Sequence, residues 1–217
     1  MIDKAIHLIH ESLKEQKMLY AKSRRDAVYK LLDYYAGDNT AQYIEDRFTA
    51  DAFKEVPMSE FNVTRRMIDR MSRIYTLGAT RNVSKQYDNM TYRKSYKMKH
   101  IEKMTRLVGT VATQVVFKQA PEPEFTYNPV YYFDAFFDDD PFMPYAITYP
   151  MVQNVHDPSD VEKLQYCYWD KDHYAVFNED GVIMFEQAHN YGVMPFVFTH
   201  REHHLNEVFV TGAYDVC

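Results

Sequence analysis

The sequence contains only two cysteines, Cys167 and Cys217, and only six glycines among its 217 residues. Two thiols so far apart do not predict a disulfide framework, and they favour synthesis in a reducing compartment such as the cytoplasm. A glycine-rich phosphate loop, a Gly-x-Ser-x-Gly nucleophile elbow and a Cys-x-x-Cys pair are all missing. The sequence therefore offers no familiar motif for nucleotide hydrolysis, esterase chemistry or dithiol redox chemistry.

Long apolar runs are missing as well. No stretch approaches the roughly 18 consecutive apolar residues that a membrane-spanning helix needs. Residues 1–16 mix charged with apolar side chains, so they do not predict a secretory signal peptide. Hydrophobic residues make up 46% of the chain and charged residues 26%, which is typical of a globular protein. We therefore predict a globular protein with one sizeable core or two small ones and no membrane partner.

Charge is distributed very unevenly along the chain. The net charge is -6, but residues 63–107 hold 12 basic and 3 acidic residues, a balance of +9. Residues 108–217 hold 4 basic and 17 acidic residues, a balance of -13. Blocks of opposite sign indicate either a nucleic-acid face or a surface that meets its opposite on a neighbouring molecule. A solvated basic helix face also explains the positive block, and composition alone does not separate these three interpretations.

Apolar residues at helical spacing predict helices in the first half of the chain. One helix is predicted near residues 2–13. A second carries a stripe made of Val28, Leu31, Leu32 and Tyr35. Gly37 is predicted to close this second helix in the left-handed conformation that commonly ends helices. Asn39 or Thr40 can cap a third helix, which Pro57 ends.

The basic block contains two further predicted helices. The first can be capped by Asn62 or Thr64 and is closed by Gly78. Its apolar face consists of Val63, Met67, Met71 and Ile74. The second is predicted from about Lys85 to Leu107. Two basic stripes supply the candidate functional residues, which are Arg66, Arg70 and Arg73 on one helix and Lys99, Lys103 and Arg106 on the other.

From Gly109 onward the pattern changes from helix to strand. Residues 110–119 are rich in β-branched side chains, and eight further strand-like stretches follow, separated by short polar turns. This spacing predicts antiparallel hairpins. A helical region over residues 1–108 followed by a β-rich region over residues 109–217 predicts an α+β fold.

Two clusters could be interpreted as metal sites. One is the turn with three consecutive carboxylates, Asp138, Asp139 and Asp140; the other contains His200, Glu202, His203 and His204. Neither fits a known pattern, because the zinc-protease His-Glu-x-x-His spacing and the Asp-x-Asp-x-Asp-Gly calcium loop are both absent. We therefore predict exposed polar turns and no metal or other cofactor. Asp134, inside a predicted strand, is expected on the outer face of the sheet.

Aromatic residues are abundant, with 19 tyrosines and 14 phenylalanines. A platform that stacks single-stranded bases needs aromatic rings beside basic residues. Here the half rich in aromatic residues is the acidic one. The pattern therefore favours a packed sheet over a surface for single-stranded nucleic acid.

The order of the segments resembles the N-terminal half of the portal proteins, or head-to-tail connectors, of tailed bacteriophages. The likeness is carried by four parts of the chain, namely "LLDYYAGDNT", "NVTRRMIDRMSRIYTLG", "MTRLVGTVATQVVF", and "NPVYYFDAFFDDDPFMPYAITY" with the later "HNYGVMPFVFTHRE". The last of these is similar to the family's Asn-x-x-Gly-x-x-Pro-Phe-Val strand start, here Asn190, Gly192, Pro195, Phe196 and Val197. Together the four parts span nearly the whole chain.

This resemblance implies a structural protein and no enzyme. Portal subunits form a ring, usually of twelve copies, at one capsid vertex, and double-stranded DNA passes through the ring during packaging and ejection. The implied partners are other copies of the chain, the capsid, the terminase that hydrolyses ATP, and tail adaptor proteins. The implied location is the virion, after synthesis in the host cytoplasm.

The implied fold is the wing, the outer domain of the ring. The family continues into stem, clip and crown, whereas this sequence ends at Cys217, so those three parts are expected to be absent. Two alternatives from other classes stay open. One is a phage-encoded metal-dependent nuclease that uses Asp138–Asp140 with His200, His203 or His204, and the other is a different virion assembly protein, such as a capsid or adaptor component.

Overall fold

The structure, a computed structural model, describes residues 7, 19–45, 62–76, 80–91, 95–119, 121–140, 143–151, 165–178 and 180–201. Its helices are α1 (Leu19–Ala36), α2 (Thr40–Glu45), α3 (Val63–Met71), α4 (Lys85–Thr91) and α5 (Ser95–Val108). Its strands are β1 (Thr110–Lys118), β2 (Glu124–Val130), β3 (Asp134–Phe136), β4 (Ala146–Pro150), β5 (Gln165–Trp169), β6 (His173–Asn178), β7 (Ile183–Ala188) and β8 (Phe196–His200). Helices precede strands, which confirms the α+β prediction.

The strands form two antiparallel sheets. The smaller sheet has the order β2-β1-β8, and the larger has the order β3-β4-β5-β6-β7. Neighbouring strands in the larger sheet are also neighbours in sequence, as hairpins require. The smaller sheet instead pairs β1 with the distant β8, with Thr110 opposite His200. The antiparallel prediction is confirmed, and this long-range pairing returns the end of the described chain to its helical side.

The core explains why helices and sheets stack in layers. Alternate residues of β1 face opposite ways, so Val111 packs among the helices while Ala112 packs toward the larger sheet. The helical cluster comprises Leu31, Ile68, Ile101, Met104, Leu107, Val108 and Val111. The cluster between the sheets comprises Ala112, Val130, Phe133, Ile147, Tyr149, Cys167 and Phe196. A third cluster covers the far face of the larger sheet, with Tyr168 and Phe177 near its centre.

Several sequence predictions of local structure are confirmed. Leu31 is buried, with Val28, Leu32 and Tyr35 packed beside it. Gly37 has a φ of +90°, and its N–H donates to the carbonyl oxygen of Asp33. Asn62 caps α3. Both described parts of the helix predicted from Lys85 to Leu107 are helical, as α4 and α5.

Two predictions need correction. Helix α3 ends at Met71, well before Gly78, because Ser72 leaves helical geometry with a ψ of 84°. Asp134 lies on the far face of the larger sheet, because its partner Thr148 pairs with Tyr168 of the third cluster, but it is buried where a position on the outer face implied exposure to solvent. It pairs in register with Thr148 of β4, which is fully buried, so the face that carries both residues is covered.

Other predictions fall outside the described residues. These are the helix near residues 2–13 apart from residue 7, which is helical, the part of the third helix beyond Glu45, Gly78, and the last of the predicted strands, at residues 207–212. Within the described ranges, no helix combines the length and apolar character that crossing a membrane requires.

Candidate functional site: the basic face of α3 and α5

The site begins with Asn62, which joins the end of α1 to the start of α3. Its side-chain nitrogen Nδ2 donates to the carbonyl oxygens of Tyr34, at 2.9 Å, and Tyr35, at 3.2 Å. Its oxygen Oδ1 accepts the Arg65 N–H at 2.7 Å. One amide therefore satisfies carbonyls at one helix end and an N–H at another, both of which lack partners within their own helices. This fixes the angle at which α3 leaves the corner.

The corner itself is organised by Asp33, which is buried. Its side-chain oxygen Oδ2 accepts the hydroxyl of Tyr43 at 2.6 Å and the amide of Asn39 at 3.3 Å. The rings of Tyr34 and Tyr43 meet edge to face, with centroids 5.4 Å apart, and the Lys30 ammonium lies 4.8 Å from the Tyr43 centroid. Tyr34 therefore packs against α2, whereas its neighbour Tyr35 is free to face α3.

Lys103 ties three helices together. Its ammonium pairs with the carboxylate of Asp69 on α3, and the hydroxyl of Tyr35 on α1 donates to the same carboxylate oxygen at 3.0 Å. The Lys103 ammonium, helped by the Tyr35 hydroxyl, holds the pKa of Asp69 below its ordinary value. The hydrogen bond to Asp69 in turn raises the pKa of Lys103. Lys103 is therefore held by contacts with other helices of the same chain.

Glu102 holds the segment that follows α3. Its carboxylate, which is largely buried, accepts the backbone N–H of Ile74 at 3.1 Å and that of Tyr75 at 3.3 Å. In a longer helix these two N–H groups would donate to backbone carbonyls of α3. Because they donate to the Glu102 carboxylate instead, the helix ends early. Arg73 is thereby presented from a turn, not from the helix predicted by the sequence.

The remaining candidate basic residues lie on α3, on the segment that follows it, and on α5. Arg66, Arg70 and Arg73 are exposed, and Lys99 and Arg106 on α5 are half-buried. No carboxylate in the described part of the chain forms an ion pair with Arg70 or Arg73. The structure thus brings three arginines close together along α3 and its following turn, with Lys103 held inside the packing between the helices.

An apolar stripe runs along the same helix as the arginines. It consists of Val63, Met67 and Met71 on α3 and Ile74 in the turn that follows the helix. Their exposed fractions are 51%, 56%, 51% and 67%, and the residue of α3 that packs into the core is Ile68. Apolar helix faces usually pack inward, but in this structure the apolar stripe faces outward. Sequence periodicity located the stripe but did not reveal that it is exposed.

The candidate metal residues that the structure describes lie in different parts of the fold. Asp138, Asp139 and Asp140 lie in an exposed turn. His200 lies on β8, where its ring nitrogen Nδ1 is 3.2 Å from the hydroxyl of Thr110. Glu202, His203 and His204 fall outside the described residues. Within the ranges that are described, no group of three His, Cys, Asp or Glu side chains could hold a metal ion.

Cys167 is the one cysteine that the described ranges contain. It is buried, and burial raises the pKa of its thiol. Its sulfur lies 3.7 Å from the hydroxyl of Tyr174. A nucleophilic cysteine needs a lowered pKa and access to substrate, so Cys167 has the environment of a packing residue.

No protein-family model matches the sequence, and no curated protein matches it.

Proposed function

We propose that the protein is a structural subunit of a phage portal, the head-to-tail connector ring through which double-stranded DNA enters and leaves the capsid. The observation that carries this proposal is the pairing of exposed arginines with an exposed apolar stripe on α3. It adds to the resemblance in segment order that the sequence displays. Capsid, terminase and tail adaptor proteins are proposed as partners on that resemblance alone.

The makeup of this surface favours a protein partner over DNA. Protein interfaces combine an apolar centre with a polar and charged rim, with arginine enriched. Phosphate recognition instead uses cations and polar donors, and exposed methionine and isoleucine side chains gain nothing from a phosphate. The basic face of α3 therefore has the character of a subunit interface.

The charge balance favours another copy of the same chain as that partner. Residues 63–107 carry +9 and residues 108–217 carry -13. In a closed ring every subunit presents one surface to its left neighbour and a different one to its right. Each contact can then bring a basic helical face against an acidic β-rich region, so the opposite charges attract at every interface.

We also propose that the protein has no enzymatic activity. The carboxylates of residues 138–140 lie in an exposed turn, and the His200 ring is hydrogen-bonded to the hydroxyl of Thr110. Cys167 is buried, and the pKa of its thiol is raised. A buried thiol with a raised pKa is a poor nucleophile, and no group of three metal-binding side chains forms among the described residues. Assays for ATP hydrolysis and for DNA cleavage with magnesium, manganese or zinc should be blank. Turnover that disappears in Asp139→Ala or His200→Ala would instead favour the nuclease alternative.

Native mass spectrometry at low salt tests the assembly proposal directly. The full chain is expected to form closed rings with a single copy number, and the rings should dissociate as salt rises because charges across the interface are screened. Images of virions with antibody-labelled protein should show label at one vertex only. A monomer at all salt concentrations, or label distributed over the whole capsid, would overturn the proposal.

A further inference from the structure

Among the described residues, strand β7 is an edge of the larger sheet, and it carries exposed apolar side chains. In the part of the chain that the structure describes, its one paired neighbour is β6, in the order β3-β4-β5-β6-β7. Met184 and Phe185 within it, and Val182 just before it, are 61%, 49% and 59% exposed. Natural proteins protect an edge strand with charged side chains, proline or β-bulges, or cover it. Strand β7 contains Glu186 and shifts register against β6, so its backbone is protected from pairing with another strand, whereas its exposed apolar side chains remain available for a partner to cover.

The start of β7 is held in place by its turn. The side-chain oxygen of Asn178 accepts the backbone N–H groups of Asp180, at 3.1 Å, and Val182, at 2.9 Å. The pairing with β6 shifts register between Val176 and Phe177. The exposed apolar side chains therefore project from an ordered strand and turn.

Acidic side chains flank this apolar edge. Asp180 lies in the turn before β7 and Glu186 lies within the strand, and both are exposed. The apolar stripe on α3 is flanked by Arg66, Arg70 and Arg73, which are also exposed. Each surface thus has an apolar centre with charges of one sign beside it, and the two signs are opposite.

The two surfaces belong to different parts of the subunit. Helix α3 packs on α1 and α5 in the helical layer, whereas β7 ends the larger sheet. A contact between two different patches of identical chains is heterologous and repeats head to tail, which generates rings when the rotation closes. One such contact would cover the apolar stripe of α3 and the apolar side chains of β7 at once.

We propose that the apolar stripe of α3 binds the β7 edge of the adjacent subunit, with the arginines of α3 beside the acidic residues of β7. The partner is a second copy of this chain. This inference rests on the proposed ring and names the surfaces that form it. DNA, or a different virion protein, would be the occupant if the tests below fail.

Charge exchange tests the pairing. One variant carries Arg66→Glu and Arg70→Glu, a second carries Asp180→Lys and Glu186→Lys, and a third combines all four changes. We expect each of the first two to remain monomeric at protein concentrations about tenfold above those at which the natural chain assembles. The combined variant should regain assembly, because its reversed surfaces again attract each other. A contact between two α3 helices would not be restored, since both copies would then carry glutamates.

Apolar substitutions provide an independent readout. Met67→Ser and Met184→Ser should each weaken assembly, whereas Met143→Ser is the matched control because Met143 is 60% exposed and lies outside both surfaces. If the natural chain assembles but the combined charge variant stays monomeric, the β7 contact is wrong and the ring proposal survives. If the natural chain never assembles, the β7 contact and the ring proposal are both wrong.

Discussion

At the scale of single residues, the corner between α1 and α3 depends on two side chains that were recognisable in the sequence. Gly37 supplies a positive φ at the end of α1, and Asn62 caps α3. Both signals are local, so spacing and residue type were enough to identify them. The second role of Asn62, donating to the carbonyls of Tyr34 and Tyr35, joins residues 28 and 27 positions apart and had no sequence signal.

Replacing Gly37 with valine should destabilise the fold. Gly37 has a φ of +90°, where a β-branched residue is strained. An added Cβ would lie 3.4 Å from the Nδ2 atom of Asn62, which is a tolerable contact, so backbone strain is the main cost. We expect Gly37→Val to lower the free energy of unfolding by about 1–3 kcal/mol. Gly37→Asn is the control, because asparagine tolerates this conformation and should lose less. Equal urea midpoints for the natural chain and Gly37→Val would contradict the argument.

Asn62→Ala should cost more than the loss of an ordinary helix cap. A cap is worth about 1 kcal/mol, and the change also leaves the carbonyls of Tyr34 and Tyr35 without their donor. We expect a total loss of about 2–4 kcal/mol, adding about 0.5–1.5 kcal/mol for each of the two lost hydrogen bonds. Asn62→Asp keeps the acceptor for the Arg65 N–H but cannot donate, so its urea midpoint should fall in between. If the aspartate variant matches the natural chain, the donated bonds contribute nothing.

At the scale of elements, α3 shows that the sequence can locate an apolar helix face without showing whether that face is buried or exposed. Ile68 packs into the core, whereas Val63, Met67 and Met71 face outward. Periodicity ranks faces by composition, and on this helix the more apolar face is the exposed one. The early end of α3 was also hidden, because it depends on the carboxylate of Glu102 from another helix.

Matched truncations on α3 separate the core residue from the exposed stripe. Ile68→Ala should lower the free energy of unfolding by about 2–4 kcal/mol, because it leaves a cavity in the helical cluster. Met67→Ala should change it by less than about 0.5 kcal/mol when the protein is monomeric. Both are measured by urea unfolding at high salt and low protein concentration. A large loss in Met67→Ala would mean that the stripe packs within its own subunit.

The contact among α1, α3 and α5 should respond to acid. The pKa of Asp69 is lowered in the folded state, chiefly by Lys103. A lowered carboxyl pKa stabilises the fold above the unfolded pKa of about 3.9, and this stabilisation is lost as pH falls through the folded pKa. The side chains of Asp69 and Lys103 are 38% and 21% exposed, so solvent screens their attraction. We therefore expect the pair to add at most about 1 kcal/mol to the free energy of unfolding at neutral pH.

Asp69→Asn tests this pH dependence. Its urea midpoint should lie below that of the natural chain at pH 6–7, and the gap should close as pH falls below about 4. The raised pKa of Lys103 predicts a second loss at the alkaline end, as pH rises through the folded value. A gap that stays constant from pH 7 to pH 2 would show that the substitution acts through packing and not through charge.

At the scale of the whole molecule, the α+β class and the antiparallel pairing were predictable because helical and strand periodicities occupy separate halves of the chain. The layer arrangement was not predictable. It depends on the pairing of β1 with β8, which joins Thr110 to His200 across 90 positions, and strand patterns do not specify such distant partners. For the candidate site, the sequence supplied the basic residues, whereas only the structure separates Lys103 from the exposed arginines.

The central claim is that the basic face of α3 is a subunit interface. Reversing Arg66, Arg70 and Arg73 to glutamate should therefore abolish the ring while leaving weak DNA binding unchanged. Lys118→Glu with Lys171→Glu is the matched control, because both lysines are exposed and lie outside α3. It should leave the ring intact.

Sedimentation velocity at low salt, run with and without double-stranded DNA, measures both properties in one experiment. We expect the triple variant to sediment as a monomer where the natural chain sediments as a ring, and to bind DNA as weakly as the natural chain does. Intact rings together with abolished DNA binding would contradict it and place these arginines on the path of the DNA.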